Sequence, residues 1–238
     1  MKRCKIAGLI VDINCIGEMM ESRIEKYRIS DSDGKEADIT IDIPESVIEE
    51  RVLKSSSAEI GYSGFEYVLT GGHFYRTLIN FDGFMLHSSA VVLDGKAYLF
   101  SAPCGTGKST HTSLWEEYFK DRGAYVINDD KPAIRMEKDG TFTVYGTPWS
   151  GKTDKNQNSS AKLCGICFLE RSDVNTIERL PISQAMAKLI WQTTRPRDEE
   201  TLAKLMSLLD KLLAEIPVYK MGCRIDYNAV ETAYNAMK

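Results

Sequence analysis

Ala97-Tyr-Leu-Phe-Ser-Ala-Pro-Cys-Gly-Thr-Gly-Lys-Ser109 decides the fold. The apolar run 97–100 reads as a strand that delivers the chain into the glycine loop 101–107. Beyond Lys108, the residues Leu114, Trp115, Tyr118 and Phe119 form one helical stripe that stops near Gly123. Strand, glycine loop and helix N-terminus together make an anion site, because the first helical amides have no internal partner and the helix dipole favours negative charge. Gly105 and Gly107 can take the backbone angles that turn successive amides inward. The amides from Gly105 through Thr106, Gly107 and Lys108 to Ser109 and Thr110 are then candidates for a phosphate cradle. In it Lys108 reaches the β and γ phosphates and the Ser109 hydroxyl ligates Mg²⁺.

The literal phosphate-loop pattern, G-x-x-x-x-G-K-[ST], lies elsewhere, at Gly146-Thr-Pro-Trp-Ser-Gly-Lys-Thr153, whereas the run 102–109 has alanine in first place. Context favours the alanine version. After Lys152 comes Asp154-Lys-Asn-Gln-Asn-Ser-Ser160, with no apolar face to hold a helix, and Pro148-Trp149 puts bulk where backbone must approach phosphate. A second signal follows the helix: the strand 124–127 runs into Asn128-Asp129-Asp130. Ligands of open α/β sheets bind at the carboxyl ends of strands, so two carboxylates there fit a metal ligand and a base beside the γ-phosphate. His87, ahead of the hairpin that feeds the loop, reads by itself as a partly buried strand residue.

Leu86-His-Ser-Ser-Ala90, the loop 98–109 and Val126-Ile-Asn-Asp-Asp130, in that order, resemble the nucleotide core of ATP-dependent phosphoenolpyruvate carboxykinase. The same order is similar to that of HPr kinase/phosphorylase. The resemblance covers about residues 84–135. It implies a phosphoenolpyruvate carboxykinase-like α/β fold with the phosphate loop embedded in a mixed sheet and flanked by helices. It also implies ATP and Mg²⁺ as cofactors. By the same resemblance His87 lies at the metal or the acceptor, Lys108 and Ser109 hold phosphates and Mg²⁺, and Asp129 and Asp130 divide between base and metal ligand. No segment matches the separate oxaloacetate-binding domain of the carboxykinases, and the C-terminal acidic and Arg-Gly signature of HPr kinases is not evident. The expectation is an HPr kinase-like phosphotransferase acting on a hydroxyl, serine foremost, of a protein, peptide or small metabolite. The rivals are a nucleotide-sensing module without chemistry and a small carboxykinase-like enzyme.

The rest of the chain frames this core. Its 238 residues, 43% hydrophobic and 27% charged, can bury a substantial core. A net charge of −4 with no dense basic run argues against nucleic acid as a partner. The apolar stretch 6–11 is too short for a signal core or a membrane span, so no membrane association and a cytoplasmic location are expected. The six cysteines are expected as thiols. Residues 1–83 read as a strand-rich N-terminal segment packed on the core, with Ile39, Ile41 and Ile43 on one strand face and one short helix over 44–53, where Val47, Ile48, Val52 and Leu53 have helical spacing. Residues 84–238 read as the nucleotide-binding core. Its further helices are expected at 108–121, 183–192, 199–216 and 228–237, with a strand at 218–221. The polar connection 150–160 reads as a mobile loop and a candidate lid. Cys164 and Cys167 sit three apart in an apparent strand and are expected on opposite faces of it, in the core. Arg195 and Arg197 read as solvated loop residues with a phosphate clamp as the alternative, and Trp149 as either a base-stacking or a core residue.

Overall fold

A computed structural model describes residues 1–30, 34–55 and 61–238. They form a mixed α/β structure around a nine-stranded sheet with helices on both faces and a separate three-stranded sheet. The small sheet is β1 (Lys2–Ile6), β2 (Leu9–Ile13) and β3 (Ile39–Ile41). Three helices accompany it: α1 (Glu18–Ile24), α2 (Glu45–Lys54) and α3 (Tyr62–Leu78). The large sheet begins with β4 (Gly83–Met85) and the hairpin β5 (Ser88–Leu93) to β6 (Lys96–Ser101). Asp94 and Gly95 both have positive φ, 50° and 74°, the mirror-image turn whose twist matches paired strands. Helix α4 (Lys108–Tyr118), opened by the glycine loop, follows, then β7 (Tyr125–Asn128), β8 (Ala133–Met136), β9 (Phe142–Tyr145), β10 (Ser160–Arg171) and β11 (Thr176–Arg179). Helices α5 (Ile182–Gln192) and α6 (Glu199–Glu215), strand β12 (Val218–Cys223) and helix α7 (Tyr227–Met237) complete the chain.

The sheet runs β4-β8-β9-β10-β6-β5-β7, and β12 joins β10 to β11. β10 is parallel to β6 and β12, and the other pairings of this sheet are antiparallel. Alternation along the central strands divides the core. Leu99, Leu163, Ile166 and Phe168 pack with Leu189 of α5 and Leu205, Leu209 and Leu212 of α6. On the other face Tyr98, Phe100 and Leu169 pack with Trp115 of α4 and Val230 and Ala233 of α7.

Three expectations are corrected. Residues 1–83 are mainly helical, not strand-rich: α3 is 17 residues long, and its sequence, with three glycines and several aromatic and β-branched residues, has weak intrinsic helix preference. Packing supplies what propensity lacks, since Thr70, Gly71, Phe74, Tyr75 and Leu78 make one buried stripe. In α2 only Ile48 is buried, and Leu53 is 85% exposed, so its apolar face is narrower than the spacing suggested. Cys164 and Cys167 lie on the same side of β10, because the register with β6 slips between Leu163 and Gly165 and the extra residue reverses the alternation. The other helices and β12 fall where the sequence puts them, within two residues at each end apart from α4, which stops at Tyr118.

Candidate functional site

The site is a product of strand direction. β5 is antiparallel to both of its neighbours, with Ser88 opposite Ser101 of β6 and Ala90 opposite Asn128 of β7. The start of β5, where His87 stands, therefore lies between the carboxyl ends of β6, which opens the glycine loop, and β7, which ends at the Asp pair. Hydrogen bonds lock the three ends: Ser101 Oγ donates to the His87 carbonyl at 2.8 Å, and the Ser88 amide to the Asp130 carbonyl at 3.1 Å.

In the glycine loop Gly105 and Gly107 have φ of 76° and 120°, which only glycine adopts readily. The loop enters α4 directly, and the His111 amide closes the first helical turn on the Gly107 carbonyl. Lys108 is buried and its ammonium donates to the Ala102 carbonyl at 2.8 Å. Burial pushes its pKa below the usual range, opposed by the nearby Asp130 carboxylate. Ser109 is half-buried and Thr110 exposed, both in the first turn. Beside the loop opens a cleft of about 620 Å³ lined by Gly105, Thr106, Gly107, Thr110, Arg171 and Ile225, among others. Arg171 reaches across to donate to the Gly105 carbonyl at 2.6 Å.

His87 and Asp130 are brought into direct contact, Nε2 to Oδ1 at 3.1 Å. The other Asp130 oxygen accepts from the Lys131 ammonium. Burial pushes the Asp130 carboxyl up, but the His87 hydrogen bond and the Lys131 charge outweigh it and hold the group at about 2. Asp130 is thus an anion and acceptor only, so Nε2 of His87 is the donor. On the far side of the ring, Nδ1 meets the Gln192 side-chain amide at 3.0 Å, while the His87 backbone amide donates to the Gln192 carbonyl at 2.8 Å. An amide carries both donor and acceptor, so it can serve either protonation state of Nδ1. Lys131 also donates to the Tyr67 hydroxyl at 2.8 Å. Burial works against its ammonium, but Tyr67 and Asp130 keep its pKa above the usual range.

Asp129 faces another way. It is 4% exposed, and its carboxylate accepts from the Gly151 amide at 2.5 Å through Oδ1 and from the Thr153 hydroxyl through Oδ2. The literal phosphate-loop pattern is followed by no helix. Its glycine amide and threonine hydroxyl, the groups that would face a phosphate, here hold a carboxylate of the chain itself. The segment 150–160 is accordingly tied down rather than open. The Asp129 amide donates to the Lys155 carbonyl, the Gln157 amide to the Ile127 carbonyl, and Asn156 bridges to Asn128. Arg23 of α1 donates to the carbonyls of Ser150 at 2.9 Å and Gly151 at 3.1 Å and pairs with Asp154 at 3.2 Å. Trp149 packs in the core, fully buried and stacked on Phe74 at 4.8 Å.

Outside this centre, Arg195 and Arg197 are exposed, and the Arg195 guanidinium lies 4.9 Å over the ring of the exposed Trp191. Cys104 is exposed in the glycine loop. Among the described residues no group of three or more His, Cys, Asp or Glu side chains could hold a metal ion, and no helix is long and apolar enough to cross a membrane. Sequence reasoning missed Gln192, Lys131, Tyr67, Arg23, Gly151 and Thr153 as parts of this network. Of these, Lys131, next to the Asp pair, and Gly151 and Thr153, within the literal phosphate-loop pattern, carried a local signal.

The structure is similar to that of the Hpr(Ser) kinase/phosphatase from Coxiella burnetii, with a TM-score of 0.36 and 12% sequence identity over 64% of this chain and 93% of that one. No curated protein matches the sequence. A family model does: residues 68–234, from within α3 through the glycine loop and the Asp pair to α7, match the model described as SynChlorMet cassette protein ScmC, and the chain belongs to that family.

Proposed function

We propose that the chain is an ATP- and Mg²⁺-dependent phosphotransferase of the phosphoenolpyruvate carboxykinase-like, HPr kinase-like type, acting on a hydroxyl, serine foremost, of a protein, peptide or small metabolite. One observation carries this reading: the antiparallel β6-β5-β7 unit gathers a glycine loop opening a helix, a histidine and two carboxylates at one edge of the sheet. The amides of residues 105–110 and the Lys108 ammonium would neutralise the β and γ phosphates. On ATP binding Lys108 exchanges its bond to the Ala102 carbonyl for phosphate oxygens. The 620 Å³ cleft beside Gly105 has room for the nucleoside.

Ser109 and Asp130 offer hard oxygen ligands suited to Mg²⁺, which typically takes one or two carboxylates together with substrate phosphates. Bound there it would supply positive charge to offset that of the phosphate oxygens. His87, whose ring is engaged by Asp130 and Gln192, fits better as the group that orients Asp130 and the acceptor than as a direct Mg²⁺ ligand. Asp129 is the base, taking the acceptor proton as the phosphoryl group transfers.

The test is calorimetric titration of MgATP into wild type, Lys108→Ala and Lys152→Ala. Binding lost in Lys108→Ala and kept in Lys152→Ala is the expected outcome. No binding by wild type, or loss in Lys152→Ala alone, overturns the site.

A further inference from the structure

The hydroxyl that touches the proposed base belongs to the protein itself. Thr153 Oγ donates to Asp129 Oδ2, which is the hydrogen bond a phosphoryl acceptor must make to its base before transfer. The Gly151 amide already engages the other carboxylate oxygen, so the contact leaves the Thr153 oxygen presented with its proton committed to Asp129. Thr153 is otherwise exposed, and beside it the exposed Lys152, which has no partner among the described residues, is a cation for phosphate oxygens. The glycine loop is close by: β6 and β7 are separated only by β5, so at about 4.8 Å per strand spacing their ends lie about 10 Å apart. The Asp130 charge is felt at Lys108 across that gap.

We propose that Thr153 is an internal phosphoryl acceptor, modified by the chain's own nucleotide site. The proposal rests on the phosphotransferase reading above. In the step, the Thr153 oxygen forms a bond to the γ phosphorus of ATP, the bond from that phosphorus to the β,γ-bridging oxygen breaks, and its electron pair leaves with ADP. The Thr153 proton passes to Asp129. The product carries nearly two negative charges between Asp129 and Asp154, and like-charge repulsion drives it off the Asp129 carboxylate. The Arg23 guanidinium, 3.2 Å from Asp154, is the nearby cation to receive it. Asp129 is then free for an external hydroxyl, so self-modification opens the acceptor position.

The experiment incubates the purified full chain with MgATP alone and follows phosphoryl incorporation by intact mass, with tandem mass spectrometry to locate it and calorimetry to measure MgATP binding in the same samples. Expected is incorporation approaching one phosphoryl group per chain, at Thr153, with a rate independent of protein concentration. Thr153→Val abolishes it, Thr153→Ser retains it as phosphoserine, and Asp129→Asn slows it at least about 100-fold, the lower bound for loss of a general base. MgATP bound with no phosphoryl group at residue 153, or incorporation that persists in Thr153→Val, overturns the proposal and leaves the nucleotide site standing. Absence of MgATP binding removes both.

Discussion

His111 stands one turn inside α4, against Phe100 and behind the glycine loop, and its Nε2 accepts the Trp115 indole N–H at 3.1 Å. That bond needs a neutral ring, and burial lowers the His111 pKa to about 4. Between pH 4 and about 6.5 the unfolded chain therefore binds a proton here that the folded one refuses, so stability rises with pH across this window and is lost as pH falls. The difference of about 2.5 pH units corresponds to about 3 kcal/mol. We expect the urea midpoint of wild type to drop steeply from pH 7 to pH 4.5 and that of His111→Gln, which keeps an acceptor for Trp115 but does not titrate, to drop less; parallel acid limbs would refute the assignment. Asp130 acts in the same direction at lower pH, its contribution present above about 4 and fading towards 2. The candidate residues Lys108, Ser109 and the Asp pair were legible in the sequence because the backbone around them repeats a known pattern. Gln192 and Thr153 were not, since each acts through a partner 105 or 24 positions away that only the folded sheet brings near.

At the scale of elements, Trp149 is the joint between α3 and the segment that holds Asp129. It is fully buried, stacked on Phe74, edge-on to Tyr75 at 5.5 Å, and its indole N–H reaches Thr70 Oγ at 3.2 Å. A Cβ on Gly71 would sit 2.8 Å from its ring, so the helix needs glycine there to let the indole approach. Trp149→Ala should cost about 3–5 kcal/mol in chemical unfolding, the range for deleting a buried large aromatic. Gly71→Ala should be destabilising in spite of alanine's better helix propensity; a Gly71→Ala protein as stable as wild type would show that the contact is not tight. Here the pattern in the sequence misled for a physical reason. Aromatic and β-branched residues count toward strand in isolation, and helix α3 exists because its one buried face fits Trp149, a contact across 78 positions. The hairpin of β5 and β6 and helix α4, by contrast, are specified by neighbours in sequence: a turn with two positive φ angles and a glycine loop leading into an amphipathic stripe.

For the whole molecule, the N-terminal residues are part of the site's support. Arg23 clamps the Ser150 and Gly151 carbonyls, the Tyr27 hydroxyl donates to Asn156 at 3.0 Å, and the Asn158 side chain donates to the Lys26 carbonyl at 3.2 Å. The strand content expected for residues 1–83 was overestimated, but their packing against the remainder is extensive: Val11, Ile13, Met20 and Ile41 share one cluster with Ala133 and Trp149. Charged hydrogen bonds to buried carbonyls are worth about 1.5–3 kcal/mol each when intact. Arg23→Ala should raise hydrogen exchange at the Gly151 and Gln157 amides well above that in β12, and unchanged protection there would show that α1 does not brace the segment.

The position of β12 has a consequence for synthesis. It pairs in parallel with β10 beyond β9, and α7 after it covers the face of β10 and β6 that also carries α4. Domains tend to form from the N-terminus as the chain emerges from the ribosome at about 5–20 residues per second. Here the strand and helix that close the sheet behind the glycine loop follow all its other strands and helices in chain order. Tyr98, Phe100 and Trp115 must wait for Val230 and Ala233, so a nascent chain that has emerged only as far as residue 217 carries an unfinished apolar face on this side of the sheet.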